Sequence, residues 1–286
     1  MRIDGHVHVF QTKALDPERS VDALAPADRA APVELLLDTM SRHGVDGAVL
    51  VPLGPERTYV AECLHRYPGR FVGVCVADER LHADPERQLG ACAAAGFRGV
   101  RMSWLGHPGR PLQESPPYAT LQIMAAEGVV LWFYGPPQQQ PLLQEAVRLL
   151  PDLTVCLNHL GFLPEHMEVD EHGRPRLRTA LPPPTLRGLL ALADAPRVHV
   201  MFSGLYGWSQ QDYPYRDLEN KVRDLYDAFG AERLYWASDF PWIIEQPGYA
   251  ALLELPRLHL PNLTPSEHDD LLGRTAARIF PGGWQQ

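Results

Sequence analysis

Asp4-Gly5-His6-Val7-His8-Val9-Phe10, the end of a short apolar run, is the stretch of sequence that decides the fold. Side chains two positions apart leave the same face of an extended strand, so His6 and His8 form a pair. A second apolar run near the other end of the chain stops at Ser238-Asp239-Phe240-Pro241. A lone His-x-His is more often two partly exposed strand histidines. With an aspartate at a late strand end, the pair can instead hold a divalent ion or flank a substrate, provided that both strands end on one side of the fold.

Strand-like apolar runs recur eight times, and segments with helical periodicity lie between them. The strand-like runs cover residues 2–9, 47–52, 71–77, 98–102, 129–134, 153–158, 198–202 and 233–237. The helical segments include residues 33–40, 85–95, 142–150, 186–193 and 218–229. Eight strand–helix units predict a closed (β/α)8 barrel, a TIM barrel, that forms a single α/β domain over residues 1–286. An open doubly wound sheet is the competing interpretation, but it normally carries a Gly-rich phosphate loop after its first strand, where this chain has the His-x-His pair.

Polar side chains fall at the carboxyl ends of the predicted strands. In a barrel, those ends converge on the rim where catalysis takes place. The predicted rim carries imidazoles, a guanidinium, a phenol, a hydroxyl and a carboxylate, from His6, His8, Arg101, Tyr134, His159, Ser203 and Asp239. Random placement would rarely bring these groups to one rim, so the pattern predicts an enzyme.

Two stretches after the sixth and seventh predicted strands resemble lids. Residues 163–184 form a polar insertion bounded by prolines, and residues 204–216 are rich in aromatic side chains, including Trp208. Long loops at the catalytic rim usually bind or cover a substrate. A surface excursion or a contact between the subunits of a homo-oligomer is the alternative for both stretches.

The composition favours a cytoplasmic, water-soluble protein that acts on a small molecule. Hydrophobic residues make up 45% of the 286 residues, which is enough for a sizeable core. No apolar run reaches the roughly 20 residues that span a membrane. The formal net charge of −9 argues against nucleic acid as a partner, because phosphate binding needs a basic surface. The four cysteines are scattered, which predicts free buried thiols.

The motifs along the whole chain resemble those of the amidohydrolase superfamily, in particular its amidohydrolase-2 branch. The similar stretches are IDGHVHVF at the first predicted strand, GFRGVRM at the fourth, NHLGF at the sixth, FSGLY at the seventh and ERLYWASDFPW at the eighth. The branch includes 2-pyrone-4,6-dicarboxylate lactonases, sugar-lactone hydrolases, and decarboxylases of muconate-type and aromatic acids. The resemblance therefore implies a TIM-barrel enzyme that is a hydrolase or a carboxy-lyase.

The fifth predicted strand departs from the metal-dependent members of this branch. Those members use a histidine there, beside the two strand-1 histidines and the strand-8 aspartate, whereas this chain has Phe133 and Tyr134. The metal-independent lactonases are more similar, since they place a phenol near strand 5 and a strand-4 arginine on a substrate carboxylate. Tyr134 and Arg101 match those two groups. The same lactonases use a second arginine near strand 7, which this chain lacks, so the resemblance argues against a dicarboxylate substrate.

These observations lead to the hypothesis of a hydrolase that opens a lactone or similar cyclic ester of a small carboxylated substrate. Asp239 would activate water as a catalytic residue, and His6, His8 and His159, the last also predicted as catalytic, would polarise the carbonyl. The other predicted substrate contacts are Arg101, Tyr134, Ser203 and Trp208. Either no cofactor is required, or one divalent cation, preferably zinc, is held weakly by His6, His8 and Asp239. The alternatives are a metal-dependent non-oxidative decarboxylase and a barrel that binds a ligand without chemistry.

Overall fold

The computed structural model describes residues 1–284, and its centre is a barrel of eight parallel strands. Neighbouring strands are hydrogen-bonded in the order β1-β2-β3-β4-β5-β6-β9-β10. The strand bounds are β1 Ile3–Val7, β2 Gly47–Leu50, β3 Phe71–Val76, β4 Phe97–Met102, β5 Val130–Phe133, β6 Val155–Leu157, β9 Val198–Phe202 and β10 Leu234–Trp236. Each of the eight predicted strand-like runs coincides with one of these strands. The predicted TIM-barrel fold is therefore confirmed.

The barrel closes where the chain that follows β10 meets β1. Val7 pairs in parallel with Phe240, the Asp239 N–H donates to the carbonyl oxygen of His6 at 3.1 Å, and the His8 N–H donates to that of Phe240 at 2.7 Å. Backbone pairing thus interleaves the His-x-His motif with the Ser-Asp-Phe-Pro motif. The two most distant parts of the sequence meet at this seam.

Helices surround the barrel, and their starts and stops follow local chemistry. α1 buries Val33, Leu36 and Met40 against the strands and ends at Gly44, whose φ of 64° suits a residue without a Cβ. All five predicted helical segments contain a helix. The bounds are α1 Val33–His43, α2 Thr58–Arg66, α3 Glu79–Ala83, α4 Pro85–Ala94, α5 Pro117–Glu127, α6 Gln140–Leu149, α7 Leu186–Ala191, α8 Leu205–Trp208, α9 Glu219–Phe229, α10 Tyr249–His259, α11 Pro265–Asp269 and α12 Thr275–Ile279, with a π-helical turn at Asp270–Arg274 between the last two.

Alternation along the strands separates two apolar layers. Inward side chains fill the lower half of the barrel, including Val49, Val74, Trp132, Met201 and Tyr235, while outward side chains pack against the helices. The barrel interior is therefore closed by packing at the end where the strands begin. The polar groups lie above this layer, at the end where the strands stop.

The insertion at residues 163–184 contains secondary structure of its own. β7 His166–Val169 and β8 Pro175–Arg178 pair as an antiparallel hairpin, which we call the β7–β8 hairpin. The aromatic stretch at 204–216 begins with the short helix α8. All four cysteines are buried and free, as expected. Within residues 1–284, no helix combines the length and apolar character needed to cross a membrane.

Candidate active site

The seam between β1 and β10 brings a carboxylate against two imidazoles. Oδ1 of Asp239 lies 3.8 Å from Nδ1 of His6 and 3.8 Å from Nε2 of His8. Asp239 has a φ of 63°, a conformation that aspartate and asparagine adopt more readily than most residues. The turn after β10 therefore aims this carboxylate back over the end of the barrel.

Asp4 supports this seam from beneath. Its buried carboxylate accepts hydrogen bonds from the Ser238 N–H at 2.8 Å, the Ser238 hydroxyl at 2.5 Å and the Tyr249 hydroxyl at 2.7 Å. It also accepts from the N–H of His6 at 3.3 Å. The Asp4 side chain thus binds the backbone of β1 at His6 and the backbone of the turn after β10 at Ser238. Through Tyr249 it also binds α10.

His159 brings a third imidazole to the same carboxylate from the turn after β6. Its Nε2 lies 3.8 Å from Oδ2 of Asp239, and its Nδ1 lies 3.0 Å from the hydroxyl of Ser203. The indole N–H of Trp208 donates to the His159 carbonyl oxygen at 2.9 Å. Gly204 packs under the ring, where a Cβ would lie 2.7 Å from imidazole atoms, so this position requires glycine. His159 is therefore held by groups that follow β9.

Tyr206 also contacts the Asp239 carboxylate. Its hydroxyl donates to Oδ2 of Asp239 at 2.5 Å, and both side chains are buried. The sequence offered this tyrosine only as one aromatic residue of a lid-like stretch. Its position three residues after the Ser203 strand end, in the first turn at the catalytic rim, is the signal that could have found it.

Arg101 and Tyr134 form the opposite wall. The Arg101 guanidinium carbon lies 5.2 Å from the centre of the Tyr134 ring, and the Tyr134 ring meets that of His159 edge-on at 5.3 Å. Burial lowers the pKa of Arg101 from its ordinary value, with the Tyr134 and Asp239 charges opposing that shift. Within residues 1–284 Arg101 forms no ion pair. A guanidinium without a carboxylate partner is thus available in the wall.

These groups line a cavity of about 190 Å³. Its polar end consists of His6, His8, Arg101, Tyr134, His159 and Asp239. The remainder of the lining is mostly apolar and comes from loops, from the turn after β10 and from the β7–β8 hairpin, namely Asp22, Leu24, Leu53, Met167, Pro175, Leu177 and Trp242. The small volume and the concentration of polar groups at one end suit a small molecule that reacts at the barrel end.

Burial sets the charge state of the polar end. It lowers the pKa of His159 to about 3 and that of His8 to about 4, and it takes the pKa of His6 well below its usual range. Burial also raises the pKa of Asp239, although His8, Tyr206 and Arg101 act in the opposite direction. Near neutral pH the imidazoles are therefore neutral, and each has one ring nitrogen with a lone pair that can accept a hydrogen bond or coordinate an ion.

The tautomer of His8 follows from its nearest polar partner, the backbone of Val51. Nδ1 of His8 lies 2.8 Å from the carbonyl oxygen of Val51, and a carbonyl can only accept, so Nδ1 carries the proton. Nε2, which faces Asp239, then holds a lone pair. Neutral His8 can consequently accept a hydrogen bond or bind a metal ion on the cavity side, but it cannot donate there.

Comparison with known proteins assigns the family. A family model described as amidohydrolase matches residues 3–282. The chain belongs to the amidohydrolase family. An L-fucono-1,5-lactonase of Burkholderia ambifaria is 27% identical over 259 residues, which cover 84% of this amidohydrolase and 80% of the relative. The family and this relative identify the chain as a hydrolase, and lactone hydrolysis occurs among its relatives.

Solved structures share the fold of this amidohydrolase over nearly the whole chain. The crystal structure of a putative 2-pyrone-4,6-dicarboxylic acid hydrolase from Pseudomonas putida has a TM-score of 0.76 and 26% identity, covering 98% of this chain and 97% of that one. An amidohydrolase from Burkholderia multivorans, crystallised with bound zinc, has a TM-score of 0.73 and 22% identity, covering 98% of each chain. The second likeness concerns the fold alone.

The residues of this amidohydrolase fit a divalent cation. Donor atoms of His6, His159 and Asp239 lie within 4.8 Å of one another, and both ring nitrogens of His6 are buried without a hydrogen-bond partner in residues 1–284. Zinc accepts such nitrogen and carboxylate donors, and a catalytic site needs three of them. This convergent group contains His159, whereas the sequence predicted His6, His8 and Asp239 as the ligands; Nε2 of His8 lies 3.8 Å from Oδ1 of Asp239 and faces the same carboxylate.

The structure gathers most of the residues that the sequence predicted for the site. His6, His8, Arg101, Tyr134, His159 and Asp239 line one cavity, while Ser203 and Trp208, predicted as substrate contacts, lie behind His159 and hold it in place. Ser203 and Trp208 do not line the cavity because the turn after β9 directs both side chains at His159.

Proposed function

We propose that this amidohydrolase hydrolyses a lactone, or a similar cyclic ester, of a small substrate with one carboxylate. The observation that carries the proposal is the convergence of three neutral imidazoles on Asp239 beside the unpaired guanidinium of Arg101, at the end of one cavity. The lactonase relative, 27% identical over most of the chain, supports the reaction class. Apart from its carboxylate and its ring ester, the proposed substrate is apolar, because most of the remaining lining is apolar.

Asp239 is the proposed general base. Its raised pKa makes the carboxylate a better proton acceptor, and Oδ1 accepts no hydrogen bond from residues 1–284 while Oδ2 is held by Tyr206. Asp239 would take one proton from water as the oxygen attacks the lactone carbonyl carbon. The ring C–O bond then breaks, and the same proton passes to the leaving oxygen, which gives a hydroxy acid.

The imidazoles have different proposed tasks because their hydrogen-bond partners differ. His6 has no partner on either nitrogen and can donate to the carbonyl oxygen, whereas neutral His8 presents only a lone pair. His159, with Nδ1 against Ser203, can donate or accept at Nε2. A divalent cation held by His6, His159 and Asp239 would supply Lewis-acid polarisation when bound.

Arg101 is the proposed anchor for the substrate carboxylate. Its planar fork suits a carboxylate, and the cation–π contact with Tyr134 holds the guanidinium in the wall. Leu24, Leu53 and Leu177 face the rest of the substrate. Hydroxyl groups buried against these leucines would lose hydrogen bonds to water, so a polyhydroxylated ring should be a poor substrate.

The test is a panel of lactones offered as pairs, each carboxylated compound beside its analogue without the carboxylate. Ring opening is followed by acid release with a pH indicator. We expect turnover of carboxylated lactones, and Arg101→Gln should lower kcat/KM for them by roughly 10- to 150-fold, the equivalent of about 1.5–3 kcal/mol for a charged hydrogen bond. The same substitution should leave the uncharged analogues nearly unaffected.

Arg98→Gln is the matched control, since Arg98 lies on the same strand but is exposed on the outside of the barrel. A loss of activity that is equal for charged and uncharged lactones would remove the anchor role from Arg101. Carbon dioxide release from aromatic or muconate-type acids is measured in parallel. Release of carbon dioxide without any lactone opening would replace hydrolysis by the decarboxylase alternative.

A further inference from the structure

We propose that Tyr206 is the positioning residue for Asp239, and that the β7–β8 hairpin holds Tyr206 in place. The inference rests on the proposed role of Asp239 as the general base. It adds to that role a residue that touches neither the water nor the lactone, and it explains why an insertion that lines the cavity is also built into the support of the carboxylate.

The contact between Tyr206 and Asp239 divides the two oxygens of the carboxylate. The phenol donates to Oδ2 at 2.5 Å, whereas Oδ1 faces the imidazoles of His6 and His8 at 3.8 Å each. A hydrogen bond to a carboxylate is among the stronger ones in proteins, and this one is buried. With Oδ2 fixed, the carboxylate cannot rotate about its Cβ–Cγ bond without breaking it, so Oδ1 remains directed at the cavity.

The hairpin fixes Tyr206 through its backbone. Arg176 of β8 donates from Nη1 to the carbonyl oxygen of Tyr206 at 2.5 Å and from Nη2 to that of Ser209 at 2.8 Å. These two bonds hold the helix α8 at both ends. A four-residue helix has little stability of its own, so its place depends on such tertiary contacts.

A second arginine of the hairpin packs on the Tyr206 ring. The Arg174 guanidinium carbon lies 5.8 Å from the ring centre, and Arg174 is itself held by Asp170 at 2.8 Å and by the carbonyl oxygen of Gln246 at 2.8 Å. The hairpin therefore contacts Tyr206 on its ring and on its backbone. Between these two arginines lies Pro175, which lines the cavity.

This arrangement joins substrate contact to the orientation of the base. Met167, Pro175 and Leu177 of the hairpin line the cavity, while Arg176, between the last two, holds the backbone of Tyr206. Alternate side chains of β8 thus serve the two purposes, because neighbours along a strand point to opposite faces. A substrate seated against β8 would press on the strand that fixes Tyr206.

The variant Tyr206→Phe removes the hydroxyl and retains the ring. Because Tyr206 is not among the residues that line the cavity, we expect kcat to fall by roughly 10- to 100-fold, the usual cost of losing a group that orients an active-site residue, while KM stays unchanged. In the Asp239→Asn background, Tyr206→Phe should have no further effect on turnover, since the group that it orients is no longer a base. A merely structural role would instead give the same loss in both backgrounds.

Tyr215→Phe is the matched control. Tyr215 is a buried tyrosine of the same segment that also packs near the hairpin arginines, and its hydroxyl does not contact Asp239. We expect its kcat and KM to equal those of the wild type. Equal losses in the two tyrosine variants would overturn the proposal, as would an unchanged kcat in Tyr206→Phe.

A crystal structure of Tyr206→Phe separates this inference from the proposed reaction. The proposal predicts that the carboxylate of Asp239 rotates, so that Oδ1 no longer lies equally close to His6 and His8. An Asp239 carboxylate that keeps its wild-type orientation overturns the positioning role, whatever substrate the enzyme takes. If no lactone is opened but the carboxylate rotates, the reaction class fails and the positioning role stands.

Discussion

The two sides of the cavity floor are built in different ways. On the β1–β10 side, strand pairing and the buried Asp4 carboxylate fix His6, His8 and Asp239 through the backbone. On the β6–β9 side, His159 and Tyr206 lie in turns after their strands, and side chains such as Ser203 hold them. The comparison teaches that a barrel can position one half of a site by its own hydrogen-bond ladder, whereas the other half depends on contacts made by loops.

The strongest test of the β1–β10 side is Asp239→Asn. Asparagine has nearly the same shape and tolerates the positive φ at this position, but it cannot accept the proton of water. We expect kcat to fall by about 100-fold or more, the scale of general-base catalysis, with the melting temperature close to that of the wild type. Asp224→Asn, on the exposed face of α9, serves as the control. Near-normal turnover of Asp239→Asn would make this carboxylate structural.

Removing the support beneath the same side should affect stability before chemistry. Asp4→Asn replaces one carboxylate oxygen by an amide NH2 group, which cannot accept the hydrogen bonds that Ser238 and Tyr249 donate. We expect the free energy of unfolding in urea to fall by about 2 kcal/mol, since a buried donor loses its acceptor. Asp46→Asn is exposed and accepts a single bond from the Arg2 N–H, so it should change little. Equal stability in the two variants would show that Asp4 does not hold the seam.

The contrast between the two sides also explains what the sequence could predict. Hydrophobic alternation places the strands, and strand ends place Arg101, Tyr134 and Asp239, so the fold and these site residues follow from local patterns. The role of Tyr206 does not follow, because the turn that aims it depends on contacts with Arg176, 30 residues earlier in the chain. The contacts of Ser203 and Trp208 with His159 do not follow from local sequence either, because His159 lies more than 40 residues earlier in the chain.

The hairpin shows where composition misled the prediction. Residues 163–184 are polar and rich in proline, which favours a loop, yet β7 and β8 pair as antiparallel strands. Their stability comes from contacts beyond the segment, such as the bonds of Arg174 to Gln246 and of Arg176 to α8. No window of local sequence contains these partners. The action of this segment as a lid remains a prediction.

A test of the β6–β9 side is Ser203→Ala. The substitution removes the hydroxyl that lies 3.0 Å from Nδ1 of His159, while Trp208 continues to hold the His159 backbone. We expect a decrease in kcat of about 10-fold, because partners of this kind typically contribute 10- to 100-fold to activity and the second contact remains. Ser115→Ala, in a serine that donates to the Leu112 carbonyl oxygen far from this turn, should behave as wild type. A loss as large as that of Asp239→Asn would make the two sides equally sensitive.

Metal binding sharpens the comparison, because the convergent donors come from both sides. His6 and Asp239 belong to the β1–β10 side and His159 to the β6–β9 side, so an ion must draw on the rigid half and the loop-supported half together. The fifth strand has Phe133 and Tyr134 where a further imidazole would strengthen binding, and Tyr206 occupies one oxygen of Asp239.

We therefore expect zinc to be substoichiometric in protein purified without a chelator or a nickel column. Removal of the ion by exhaustive chelation should lower turnover by less than about 10-fold. That limit is the smallest loss of activity usually seen when a residue that supports a metal ligand is mutated in an enzyme that needs its metal. Mass spectrometry gives the metal content, and turnover is measured before chelation, after it and after zinc is returned. One tightly held zinc per chain, with turnover abolished by its removal and restored by its return, would contradict this expectation. It would show that the loops of the β6–β9 side hold His159 as rigidly as strand pairing holds His6 and Asp239.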